Sequence, residues 1–481
     1  MQFPATPAIS GRNNRAVNSW LRHLLLVVAA AWLTTGCTTY QQKNRIIAHW
    51  QGGDIQGASA EATKQADQQA RGKDGVVWRL EQGATLRAGG KFAASNDAFD
   101  QAQAEMEKYA QAAKVSLSSE GLALFSNQAN FPYEGRAYDG IMLNTYKALN
   151  YLALGEFDKA RPELIRAYQR QQDAVADNQK RIAATQQAAG EGKDGAAINR
   201  SLENPGLGTA LTPVTGNLES VRGYADYVNP FTVFLDGLYF MIAAADHSDL
   251  ERAQKSLERA RQFAPQNGYL KRDLAVAGDL LHGRKLAPTT YVIFETGCAP
   301  LRSQLRIDVP IIISKVSYVG AAFPVLVFQD DFLPQLTVTN AAGRFDTALV
   351  ANMDGVVAQA FKNEMPMIIT RTLAATVAKA TAAYAVNEQA RRQDDVVGLL
   401  AQIGTAIYEL AVNIADTRTW TTLPKEFQYC RFPTPADRRI DLTTPTGLKI
   451  SLTLDPGTIN LVYVKSVNRR GPLLVTQFRV K

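Results

Sequence analysis

The chain has 481 residues, with 52 Lys+Arg against 45 Asp+Glu, and is 46% hydrophobic and 20% charged. That composition excludes a disordered, collagen-like or disulfide-stapled chain and leaves room for two or three cored domains. Of the formal charge of +7, three units come from Arg12, Arg15 and Arg22, which lie in a first 36 residues without Asp or Glu, so the remainder carries +4. With nearly half of the basic excess in those first 36 residues, nucleic acid is disfavoured as a partner, because binding needs Lys and Arg on the folded surface.

Arg12 to His23 precede an uncharged run, Leu24 to Leu33, which is the pattern of an export signal over residues 1–36. Ten apolar residues reach only about 15 Å as a helix, half a bilayer core. The run ends in Leu33-Thr34-Thr35-Gly36-Cys37, which resembles the lipobox of bacterial lipoproteins, with Thr34 where Leu is commonest. The resemblance implies a lipid on Cys37 and a membrane partner reached through that anchor. The other reading is ordinary cleavage near Gly36, leaving a free thiol. Thr38 follows the cysteine in place of the Asp that retains lipoproteins in the inner membrane, so the same resemblance implies the outer membrane, facing the periplasm. Residues 37–75, rich in Gln, Ala, Asp and Gly, read as a partly helical tether. Two thiols remain, Cys298 and Cys430, and an oxidising compartment makes them candidates for a disulfide; the other reading makes each a small buried apolar side chain.

Residues 76–286 read as helix pairs. In Asn144 to Gln171, Ala148 and Tyr151 occupy packing positions of a first helix, Gly155 makes the turn, and Phe157, Ala160, Leu164 and Ala167 line a second. This resembles a tetratricopeptide repeat, in which small residues let two antiparallel helices touch. Weaker copies are Trp78 to Tyr109, with Gly83 at a repeat position, Gly90 at the turn and Ser95 replacing the usual alanine, and Gly237 to Asn267. Their spacing is not uniform, because residues 178–216, rich in Gln, Gly, Ala and Asn, read as a helix extension followed by an exposed loop. A generic helical bundle is the alternative architecture.

From residue 287 to 481 the pattern is β-rich. Strands are expected at 289–295, 304–313, 325–329, 335–338, 420–423, 426–432, 448–454, 458–466 and 473–480. An apolar helical hairpin is expected over 347–414, kinked at Pro366, with its uncharged second arm Val396 to Tyr408 too short to span a membrane. The fold class is therefore α+β: an N-terminal tetratricopeptide-like helical domain, then an antiparallel sheet or sandwich with the hairpin covering one face.

No catalytic constellation stands out. His23, His49, His247 and His282 are scattered, and the His-Glu-x-x-His and Gly-x-Ser-x-Gly signatures are absent. Gly206-Leu207-Gly208 and Gly89-Gly90-Lys91 begin nucleotide motifs they do not complete, and Asp330-Asp331 and Asp394-Asp395 read as turn or capping carboxylates. No metal site and no cofactor is expected. The order of a lipobox, repeats with Tyr-Lys-Ala-Leu-Asn-Tyr-Leu-Ala-Leu-Gly, the strand Tyr-Val-Ile-Phe-Glu-Thr-Gly-Cys-Ala-Pro, and Ala415-Asp416-Thr417-Arg418-Thr419-Trp420-Thr421-Thr422-Leu423-Pro424 resembles a family of proteobacterial envelope lipoproteins. The resemblance implies no reaction and points toward cell-wall synthesis. Asp416 and Arg418 are expected to pair while Trp420 anchors the strand, as a structural motif or a ligand site. The first functional reading is a non-enzymatic scaffold binding a periplasmic protein or peptide. The alternative is an enzyme or ligand-binding protein acting on cell-wall or surface polysaccharide.

Overall fold

The computed structural model describes residues 35–115, 128–192, 194–313, 316–390 and 414–480. Met1–Ile46 and Ile47–Lys481 are separate compact units. The described part of the first is the start of helix α1, Thr35–Gln51.

Within the second unit, antiparallel helix pairs come first. Helix α2, Ile55–Gln68, starts at the cap Asp54, whose carboxylate accepts the Gly57 amide, and packs through Ala58, Ala62 and Ala66 on α3, Gly75–Ala88. The residues read as a tether are thus folded from Ile47 onward, because a stripe of alanines at helical spacing lets α2 lie close to its neighbour. Helix α4, Phe92–Val115, returns on α3 after Gly90, whose φ of +74° suits glycine. Gly83 allows the closest approach, since a Cβ there would meet the Phe99 ring at 2.4 Å. Buried Ser95 fills the alanine position by donating from its hydroxyl to the Gly83 carbonyl at 2.7 Å. The next pair is α5, Ala137–Ala153, and α6, Phe157–Glu191, turning at Gly155 (φ +75°) and touching through fully buried Ala148 and Ala160.

The segment read as an exposed loop is helical instead. Helix α6 continues to Glu191, followed by α7, Gly195–Leu202, and α8, Pro205–Thr215, which pack on a β-ribbon. Leu207, Leu211 and Val214 form one apolar stripe in α8, and Asn204 caps it just before Pro205. Helices α9, Pro230–Ile242, α10, His247–Phe263, and α11, Gly268–Leu281, complete the helical part.

The boundary at 286/287 marks a change of secondary structure within one compact unit rather than a join between two bodies. A five-stranded sheet has the order β11-β10-β1-β7-β6, with β1 Thr289–Thr296, β6 Ala348–Asn352, β7 Glu426–Pro433, β10 Ile459–Ser466 and β11 Leu474–Arg479. It is mixed: β1 runs parallel to β10 and antiparallel to β7. Strands β4 Thr337–Asn340, β5 Gly343–Asp346, β8 Arg439–Thr443 and β9 Lys449–Thr453 form a second sheet, and β2 Leu301–Ile313 with β3 Val316–Val327 form a ribbon.

Every residue of β1 is buried because alternate side chains meet different layers. Val292 and Phe294, with Cys430, Phe432, Val462 and Val464, join Val338, Ile440 and Leu442 of the second sheet, and Leu336 just before it, in one core. The opposite face carries Phe427 and Tyr429, which stack on Phe231 and Phe234 of α9 at 3.7 and 4.4 Å between ring centroids. The helical part therefore covers one face of the five-stranded sheet and the second sheet the other. The apolar hairpin is not what covers that sheet: its first arm, α12 Met353–Ala390, packs chiefly along α6, α7 and β3, and residues 391–413 lie outside the described residues. Residues 348–352 are strand rather than helix, since Ala348, Leu349, Ala351 and Asn352 pair with β7 around a bulge at Val350, and 420–423 are turn rather than strand.

Candidate functional site

Residues 414–425 connect the helical part to β7, and their side chains converge on buried polar groups. Arg418 bonds Asp416 through Nε at 2.8 Å and Nη2 at 3.0 Å, and reaches Asp74 at 3.0 Å and the Phe131 carbonyl at 2.7 Å through Nη1. Burial pushes the Asp416 carboxyl up, but the guanidinium outweighs it and holds Asp416 well below its usual range. Trp420 is wedged edge-on against Phe99 and Tyr146, each at 5.8 Å, and donates its indole N–H to Thr422 Oγ1 at 2.9 Å. Thr421 and Thr422 donate their hydroxyls to Glu81 of α3, each at 2.7 Å. The motif thus ties α3, α4 and α5 to the strand that follows.

Two further clusters, which sequence reasoning missed, flank it. In the first, Glu295 of β1 lies opposite Lys465 of β10 in the parallel register and pairs with it. The Tyr146 hydroxyl donates to Glu295 Oε1 at 2.9 Å, and the Tyr463 hydroxyl donates to Oε2. Arg87 lies over the Tyr463 and Tyr146 rings at 4.6 and 5.2 Å. Burial would raise the Glu295 carboxyl, yet the Lys465 and Arg87 charges keep it below its ordinary value. In the second, Glu364 of α12 receives Arg136 at 2.7 Å and Arg302 of β2 at 2.9 Å, and Arg136 also donates to the Arg418 carbonyl at 3.1 Å. The available signal was a charge inside an apolar run: Glu295 in Tyr-Val-Ile-Phe-Glu-Thr and Lys465 in Leu-Val-Tyr-Val-Lys-Ser. A buried charge is costly unless paired, so such residues demand partners.

The other sequence candidates are not brought together. Cys298 and Cys430 are free and buried in different clusters, Cys298 with Trp50, Ala58 and Val467, and Cys430 between the two sheets. The disulfide considered from the sequence is therefore not formed: each cysteine fills its own core on its own strand or strand end. Burial pushes the Cys298 thiol up to about 12, which removes thiolate reactivity at neutral pH. Cys37 falls in helix α1, and the residues before Thr35, read from the sequence as an export signal, lie outside the described residues. Asp330 is 87% exposed and holds Lys425 at 3.4 Å, and Asp394-Asp395 lie outside the described residues. His49 pairs with Asp54 at 2.8 Å, and the His282 ring bonds the Gly278 carbonyl. Among the described residues there is no group of metal-ligating side chains and no helix long and apolar enough to cross a membrane. Chemically, the three clusters hold elements together through charge-assisted bonds in a dry interior. No known protein family, curated protein or solved structure matches the chain.

Proposed function

We propose that this chain is a lipoprotein of the cell envelope, anchored at Cys37 to the outer membrane on its periplasmic side, whose tetratricopeptide-like helix pairs serve as a non-enzymatic scaffold for a periplasmic protein or peptide, in a setting linked to peptidoglycan synthesis. The observation that carries the reading is the Leu24 to Cys37 string, which joins an export signal to a cysteine in lipobox context. The helix pairs are consistent with it: Ile165 and Tyr168, one helical turn apart on α6, expose 40% and 41% of their surface, and aromatic side chains are favoured where proteins dock.

The test is photo-crosslinking in intact cells from positions 165 and 168, with an exposed residue on β9 as the control. A defined envelope protein crosslinked from α6 and not from β9 supports the scaffold. Purified protein that binds or cleaves cell-wall glycan, with no specific crosslink, overturns it in favour of action on polysaccharide.

A further inference from the structure

Counted among the described residues, the charges at the second cluster do not balance. Three guanidiniums, of Arg136, Arg302 and Arg418, face four carboxylates, of Asp74, Asp139, Glu364 and Asp416. Glu364 binds two of the guanidiniums and Arg418 binds two of the carboxylates. Asp139, in the first turn of α5, is fully buried and has no ion pair among the described residues. Its Oδ2 accepts the Tyr133 hydroxyl at 2.5 Å and the Arg136 amide at 2.8 Å, while its Oδ1 is buried with no hydrogen-bond partner among the described residues.

The groups facing this carboxylate from the surrounding elements do not supply the missing charge. Arg170 of α6 lies over Gly140 and pairs with Glu107 of α4, and Arg181 of α6 pairs with Glu134. Tyr138 shares its hydroxyl with Thr419; Tyr227 is neutral beside Glu364; and Asp226 takes Gln359 and Asn363 at the surface. The carboxylate without an ion pair among the described residues therefore sits at the point where β2, α12 and residues 416–419 are fastened to α5.

We propose that Asp139 is the proton-binding element of a latch that fastens the roots of the β2–β3 ribbon and of α12 to the helical part, tight when Asp139 is protonated and looser when it is ionised. Protonation leaves three carboxylates against three guanidiniums and turns the orphan oxygen into a neutral carboxyl. Ionisation restores an unpaired buried charge, which weakens every element that must close around it. Burial, opposed by the Tyr133 and Arg136 hydrogen bonds and by the Arg136 and Arg302 charges, pushes the Asp139 carboxyl up to about 6, which places the change between mildly acidic and neutral conditions.

The experiment is hydrogen–deuterium exchange of the full-length protein at pH 5.0 and 7.5, corrected for the intrinsic pH dependence of exchange. Amides of β2 near Arg302 and of α12 near Glu364 are expected to open about tenfold more readily at pH 7.5, given an ordinary Asp in the opened state. Asp139→Asn should hold the slow exchange at both pH values. Tyr133→Phe, which removes a donor to the ionised form, should move the midpoint to higher pH. Equal corrected exchange at the two pH values in the native protein, or a pH difference that survives in folded Asp139→Asn or Tyr133→Phe unshifted, would overturn the proposal.

Discussion

At the scale of single residues, the fold depends on charges that are buried together. Lys465 and Glu295 exchange their hydration for each other and for two tyrosine hydroxyls, so the pair is tolerable only when complete. Lys465→Met should destabilise the protein by about 3–5 kcal/mol, since it strands the carboxylate, and Lys465→Met with Glu295→Leu should recover much of the loss. Chemical denaturation of both variants checks this, and a double variant as unstable as the single one would contradict it. Asp139 has the opposite sign. Its folded pKa is raised, so its contribution to stability is full below about pH 4 and lost as pH rises to about 6. Asp139→Asn should therefore match the native protein at pH 4 and exceed it above pH 6, by up to about 3 kcal/mol. Glu295, Glu364 and Asp416 are lowered and act in the reverse sense: their stabilisation is present at neutral pH and lost as pH falls below the ordinary carboxylate range. The difference between native protein and Asp139→Asn separates the two trends.

At the scale of elements, close approach and edge contacts decide the packing. Gly83 was legible only as a position in a weak repeat copy; its necessity comes from the Phe99 ring lying where a Cβ would stand. Gly83→Val should cost on the order of 1–3 kcal/mol through overpacking, measured by thermal unfolding. Trp420 was expected to be an anchor from the Ala415 to Pro424 string, but the rings that make it one, Phe99 and Tyr146, come from distant elements. Trp420→Ala should lose about 3–5 kcal/mol, and a loss below 1 kcal/mol would show that the wedge is not needed. Residues 195–215 were misread because they include three Gly, three Thr and two Pro, all poor helix formers, while three apolar side chains at helical spacing were enough once β2 supplied a surface. The strand 348–352 was lost in a long helical pattern because its partner β7 lies more than 70 residues away.

At the scale of the molecule, the cysteines offer a direct check of the architecture. Native protein should show no thiol reactive toward a polar disulfide reagent at Cys298 or Cys430, two after denaturation, and no change in melting temperature with reductant. Replacing Cys37 by Ser should release the protein from membranes, measured by fractionation, and continued attachment would refute the anchor. Composition, the helix-pair turns at Gly90 and Gly155 and most strand positions were determined by the sequence itself, because local backbone preference and apolar periodicity are local properties. The layer order, the parallel pairing of β1 with β10, the separation of the two thiols and the identity of the buried ion clusters were decided only by tertiary structure. Those features depend on which distant side chains meet in a dry interior, and no local pattern carries that information.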